Sequence, residues 1–115
     1  MDPAALFKAL SDPTRLRCLS LLSNHEALCV CELTHALALP QPKVSHHLAT
    51  LRRVELVKDR KEGLWIYYCI NPELPPWIAK VIETTAAGIK EQEPFASDVM
   101  ALAETSNSSS AICNA

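Results

Sequence analysis

Apolar residues recur at helical spacing in five segments of the 115-residue chain. The spacing and the prolines between segments predict helices over 3–10, 13–23, 31–39, 41–54 and 75–89. Asp12-Pro13 supplies an N-cap and a first-turn proline for the second helix. Pro40 and Pro42 separate the third helix from the fourth. The chain is therefore expected to be mainly helical.

Two segments rich in β-forming residues, 56–60 and 64–70, flank Lys61-Glu62-Gly63, which predicts a hairpin. The order ααααββα is typical of a winged helix-turn-helix, in which the second helix of the motif enters the DNA major groove. A chain this short leaves its first and last apolar helices poorly covered, so we expect a homodimer through those two helices.

The end of the chain differs from the rest. Residues 105–110 read TSNSSS, a polar and turn-rich run. We expect a winged-helix and dimerisation domain over 1–90 and a flexible tail over 91–115. No apolar run approaches the roughly 20 residues that span a bilayer, and the start does not look like a signal peptide, so we expect a cytoplasmic protein.

The formal charge of −2 hides a basic stretch. Residues 41–61 hold six basic and two acidic residues, whereas the rest holds five basic and eleven acidic ones. A basic stretch in an acidic chain indicates either a double-stranded DNA-binding surface or a solvated charged face.

A helical wheel of the fourth segment places Val44, Leu48 and Leu51 on one buried arc. The N-terminal positions are expected to face base edges, and the arginines to contact phosphates; His47 flanks the apolar arc and is expected to pack or to contact phosphate. The predicted DNA contacts are Gln41, Lys43, Ser45, His46, His47, Thr50, Arg52, Arg53, Arg60 and Lys61.

Four motifs together resemble the ArsR/SmtB family of metal-sensing repressors, and within it the arsenical resistance repressors. They are LSDPTRLRCLSLL at 10–22, CVCEL at 29–33, QPKVSHHLATLR at 41–52 and KDRKEGLWIYY at 58–68. The resemblance covers 6–80. It implies a dimer on its operator, no prosthetic group, and release when As(III) or Sb(III) binds thiolates of the third helix.

Cys29 and Cys31 carry the predicted inducer site. Trivalent arsenic is thiophilic and takes up to three thiolates. Positions i and i+2 of a regular helix lie about 200° apart, so we expect both sulfurs to reach one ion only if the start of the third helix unwinds. Such unwinding would couple the ion to DNA release.

The identity of a third ligand for the arsenic ion is left open, because Thr34 stands where similar repressors carry a third cysteine. Cys113, Cys18 or a small cellular thiol could supply it, or the ion could have no third thiolate. Cys18 lies among leucines and Cys69 lies on a predicted wing strand, so both are expected to be structural.

Other functions use the same residues. His25 or His35 beside the cysteine pair would suit Cd(II) or Zn(II). Thiol oxidation could also release a repressor of this kind. An enzyme is disfavoured, because CVC lacks the Cys-x-x-Cys spacing of thiol redox proteins and no base partner for a cysteine is evident.

Overall fold

The computed structural model describes residues 1–107. Its elements, in chain order, are α1 (Pro3–Leu10), α2 (Pro13–Ser23), β1 (Leu28–Cys29), α3 (Val30–Leu37), α4 (Gln41–Arg53), β2 (Val57–Glu62), β3 (Trp65–Ile70), α5 (Pro76–Ile89) and α6 (Phe95–Asn107). The winged helix-turn-helix prediction is confirmed, and α1 and α2 have the predicted bounds.

Local capping explains where the first two helices begin. The Asp2 carboxylate accepts a hydrogen bond from the Ala4 amide, and the Asp12 carboxylate accepts one of 3.0 Å from the Arg15 amide. Each aspartate precedes a proline, whose fixed φ suits the first helical position.

The helix-turn-helix consists of α3 and α4. Ala38 ends α3 in the left-handed region with φ 54°, and Pro40 stands at the N-cap of α4 with φ −59°. The predicted arc of α4 is confirmed, since Val44, Leu48 and Leu51 are completely buried. The opposite side of α4 is left facing solvent.

The wing is the antiparallel pair β2 and β3, whose register runs from Val57 opposite Ile70 to Glu62 opposite Trp65. Gly63 adopts φ +61° in the turn, a conformation that side-chain-bearing residues rarely adopt. A third strand, β1, pairs with β3 on its other side, so that Cys29 lies opposite Tyr67. Sequence patterning missed β1 because two residues carry no periodicity.

The flexible tail expected from residue 91 is not what residues 95–107 form. They form helix α6, which packs against α3 and α2 and buries Leu102 and Asp98. Asp98 accepts two hydrogen bonds from Arg17 of α2, of 2.8 Å from Nε and 2.7 Å from Nη2. Sequence patterning missed this helix because residues 105–110 are polar. It also missed the burial of Asp98, because a charged residue is expected at the surface.

Some large apolar side chains stay exposed on α1 and α5, the helices expected to form a dimer. Phe7 is 56% exposed and Trp77 is 47% exposed. Among the described residues, no helix is long and apolar enough to cross a membrane.

Candidate functional site

The two cysteines of CVC do not share a helix. Cys29 is the N-cap of α3, with an extended backbone of φ −70° and ψ 147°, whereas Cys31 lies in the first turn. Their sulfur atoms are 2.8 Å apart. The expectation that α3 must unwind before one ion can reach both sulfurs is therefore wrong, because the 200° separation applies only to two helical positions.

Two contacts fix this arrangement. The Cys29 amide donates a 2.9 Å hydrogen bond to Oε1 of Glu32. The Glu32 side chain thus reaches back from the third helical position to the N-cap of α3. On the opposite side, Cys29 is held in register with Tyr67 of β3. A capped helix start and a strand pairing thus place the Cys29 sulfur over the first turn.

Beside the sulfur pair, Thr34 presents a polar atom without a partner. Its Oγ1 is buried and makes no hydrogen bond. Cys18 is fully buried in the core, where desolvation raises the pKa of its thiol to about 12, so it is confirmed as a core residue. Cys69 lies on β3 as expected. Cys113, the candidate third ligand, lies outside the described residues.

A cavity of about 590 Å³ opens next to the cysteines. It lies between the start of α3, the start of α4 and the wing. It is lined by Cys29, Val30, Cys31, Thr34, His35, Gln41, Ser45, Leu64, Trp65, Ile66 and Tyr68. A ligand on the sulfur pair would therefore lie against both elements expected to contact DNA.

A site for a divalent metal is not assembled in the part of the chain that the structure describes. Within residues 1–107, no three His, Cys, Asp or Glu side chains lie close enough together to hold an ion. His35 lines the cavity, while His25 lies in a separate groove beside Val99 and Met100.

The predicted DNA contacts differ in their exposure and in their present partners. Gln41, Lys43, His46, Arg53 and Lys61 are exposed, as a reading or phosphate-binding residue must be, whereas Ser45 and Thr50 are half-buried. Two of the predicted arginines form salt bridges with acidic residues at the surface. Arg52 pairs with Asp59 at 2.9 Å, and Arg60 pairs with Glu62 at 3.0 Å and lies over the ring of Tyr67.

His47 packs against α2 rather than pointing outward. Its Nδ1 lies 3.4 Å from Nη1 of Arg15 and 3.7 Å from the Asp12 carboxylate, and its side chain is 13% exposed. Burial lowers the pKa of His47, although the nearby Asp12 carboxylate acts in the opposite direction. The packed alternative expected for this residue is the one observed.

One functional contact was readable from the sequence but was missed. Glu32 follows Cys29 by three residues, the spacing of a capping box, in which an N-cap residue is paired with a glutamate at the third helical position. That spacing would have placed Cys29 outside the helix. The cavity itself had no such signal, because its walls come from three separate segments.

Fold and site together define a class of protein, the winged helix-turn-helix transcriptional regulators. Members of this class bind DNA and are not enzymes. A family model described as bacterial regulatory protein, arsR family, matches residues 12–59. The chain belongs to the ArsR family and is a DNA-binding transcriptional repressor of that family.

Individual relatives agree with this assignment. The chain is 43% identical over 104 residues to an arsenic resistance transcriptional regulator of Pseudomonas putida, covering 90% of this chain and 80% of the relative. It is 51% identical over 81 residues to the arsenical resistance operon repressor of Escherichia coli, covering 70% and 69%. Among solved structures it resembles the AntR antimony-specific transcriptional repressor, with a TM-score of 0.64 and 31% identity, over 78% of each chain.

Proposed function

We propose that this chain is an arsenic-responsive repressor that binds operator DNA as a homodimer in the cytoplasm and is released when As(III) or Sb(III) binds Cys29 and Cys31. The observation that carries the proposal is the pair of sulfur atoms 2.8 Å apart at the start of the helix-turn-helix. The names of the relatives, which refer to resistance against arsenic, support the choice of ion.

Soft thiolate donors favour a thiophilic ion over hard cations. In the reduced protein, Cys29 and Cys31 supply two donors, and an extended N-cap and a first-turn residue already bring their sulfurs together. The ion is the inducer, and it does not belong to the resting protein.

Release follows from where the ion would lie. The cavity beside the sulfurs is shared by Gln41 and Ser45 of α4 and by residues 64–66 of the wing. A ligand there changes how α4 and the wing sit relative to each other, and the operator needs both in one arrangement. The bound ion thus favours a conformation that binds DNA less well.

The dimer rests on the exposed side chains of α1 and α5. Burying Phe7 and Trp77 against a second copy removes apolar area from water, which favours association. A two-fold pair also presents two α4 helices to half-sites about one DNA turn apart.

The test is a titration of reduced protein on a fluorescent duplex from its own promoter, followed by anisotropy under a phosphine reductant. Arsenite and antimonite are expected to release the wild-type protein, whereas Cys29→Ser and Cys31→Ser stay bound. Cys69→Ser, a free cysteine on β3, is the matched control and is expected to respond normally.

Other outcomes would contradict the proposal. If arsenite leaves the wild-type complex intact, arsenic sensing fails. Release by Cd(II) or Zn(II) alone would identify a divalent-metal sensor on the same fold. Release by peroxide alone would identify a sensor of thiol oxidation.

A further inference from the structure

The Arg15 side chain of α2 lies where the end of α1 meets α4. Its Nε donates a 2.8 Å hydrogen bond to the Ala9 carbonyl, and its Nη2 donates one of 3.2 Å to the Lys8 carbonyl. Both carbonyls belong to the last turn of α1, where a helix leaves its carbonyls without regular partners. One guanidinium therefore caps α1 from outside that helix.

The remaining side of the same guanidinium reaches α4. Nη1 of Arg15 lies 3.4 Å from Nδ1 of His47, whose side chain is only 13% exposed. An arginine carries donors and no acceptor, so this contact requires that Nδ1 of His47 be unprotonated and accept. Arg15 and a neutral His47 thus join α4 to the end of α1 through a fixed, planar group.

A proton on His47 would change its partner. The protonated Nδ1 can no longer accept from Arg15, and the Asp12 carboxylate lies 3.7 Å away as an alternative. The charged groups that act on the ring are Asp12 and Arg15 from α2 and Lys43 and His46 from α4. Burial lowers the pKa of His47, so the neutral ring and its contact with Arg15 are favoured near pH 7.

This contact lies between the two helices that matter for a dimer on DNA. Helix α1 carries the exposed Phe7, one residue before the carbonyls that Arg15 holds, and α4 carries the predicted base contacts. Two α4 helices must reach two half-sites at a fixed separation. In a dimer formed through α1, that separation depends on how α4 is held relative to α1.

We propose that Arg15 and His47 are positioning residues for operator binding, which hold α4 at the angle to α1 at which both copies of α4 fit the operator at once. The inference rests on the proposed homodimer. It assigns His47 a role that needs no contact with DNA, and it assigns a role to Arg15, which lies outside the basic stretch of residues 41–61.

A positioning role differs from a purely structural one in its effect on two kinds of DNA. Operator binding needs both α4 helices in register with base edges, whereas binding to an unrelated sequence depends mainly on charge. Loss of the contact should therefore weaken operator binding and spare binding to unrelated DNA. A loss of folded protein would weaken both equally.

The experiment measures anisotropy of the full reduced chain at pH 7.5 on two fluorescent duplexes. One comes from its own promoter, and the other has the same length and composition in scrambled order. Arg15→Lys keeps the charge but loses the planar fork, and His47→Leu removes the acceptor. Each is expected to lower the ratio of promoter affinity to scrambled affinity by about tenfold.

Two matched variants serve as controls. His47→Asn carries an amide oxygen that can accept near the place of Nδ1, and it should stay within about threefold of the wild-type ratio. His25→Asn makes the same change at an exposed histidine between α2 and β1, and it should leave the ratio unchanged.

The second readout is the pH profile of the same ratio. Between pH 7.5 and pH 5.5 the wild-type ratio should fall by about threefold or more, because a protonated His47 cannot accept from Arg15. The ratio of His47→Asn should not fall in this way, since its amide does not titrate. Parallel profiles of the two proteins would overturn the role of His47.

The outcomes separate this inference from the proposed function. If the wild type distinguishes its promoter and both Arg15→Lys and His47→Leu do so equally well, the inference alone is overturned. Equal losses on the two duplexes would also overturn it, because they would show a loss of folded protein. A wild-type ratio near one would contradict the proposed repressor, and this inference with it.

Discussion

The two ends of α3 are built differently. At its start lie a sulfur pair, an unpartnered Thr34 hydroxyl and the cavity of about 590 Å³. At its end, the Leu37 carbonyl accepts a 3.1 Å hydrogen bond from Arg17, which also donates two hydrogen bonds to the buried Asp98 carboxylate. The start has open space and an unsatisfied polar atom, whereas the end is held by hydrogen bonds to neighbouring helices.

The difference indicates that the two ends of this eight-residue helix have separate roles. Arg17 and Asp98 hold the end of α3 against α2 and α6. We therefore expect a ligand at the start of α3 to shift α4 and the wing rather than the whole helix. Each of the first three predictions below changes one end of α3 and leaves the other intact, and the fourth concerns α4.

The largest effect is expected at the anchored end. Asp98→Ala leaves Arg17 largely buried without its carboxylate and should lower the free energy of unfolding by about 3 kcal/mol in urea denaturation. Glu83→Ala removes an exposed carboxylate of α5 and should change it by less than about 0.5 kcal/mol. Equal stability of the two variants would show that the ion pair does not anchor α6.

A smaller loss is expected at the start of α3. Glu32→Ala removes the acceptor of the Cys29 amide and should cost about 1 kcal/mol of stability. It should also raise the arsenite concentration needed for DNA release, because the Cys29 backbone is no longer fixed. Unchanged sensitivity in the anisotropy assay would mean that strand pairing with β3 alone places this sulfur.

Thr34→Val should act in the opposite direction. Replacing a buried hydroxyl that has no partner by a methyl group of similar shape is expected to raise the free energy of unfolding by about 1 kcal/mol. Thr34→Ser keeps the hydroxyl, loses the methyl group and should be less stable than the wild type. Destabilisation by valine would reveal that the hydroxyl is hydrogen-bonded in solution.

The smallest effect concerns pH. Burial lowers the pKa of His47 in the folded state, so the unfolded chain binds the proton first as the pH falls through about 6.5. The contribution of this histidine to stability is therefore present above that pH and is lost below it. His47→Gln should show a flatter decline in melting temperature between pH 7 and pH 5, on the order of a few degrees at most. An identical decline would assign the effect to other groups.

Much of the fold was predictable because it depends on local signals. Asp12-Pro13 and Pro3 set the beginnings of α2 and α1, and the arc of Val44, Leu48 and Leu51 set which side of α4 is buried. Helix α6 was not predictable in this way. Its buried Asp98 reads as a surface residue until Arg17, 81 positions away in the chain, is placed beside it.

The helix-turn-helix, the wing, the basic stretch and the two cysteines near the start of α3 could be predicted because periodicity, prolines and charge act over a few neighbouring residues. Contacts between distant segments account for the rest: the two sulfurs lie 2.8 Å apart, Thr34 Oγ1 has no hydrogen-bond partner, and one cavity touches α3, α4 and the wing. Those facts depend on β1 pairing with β3 and on packing between distant segments, and no local pattern encodes either.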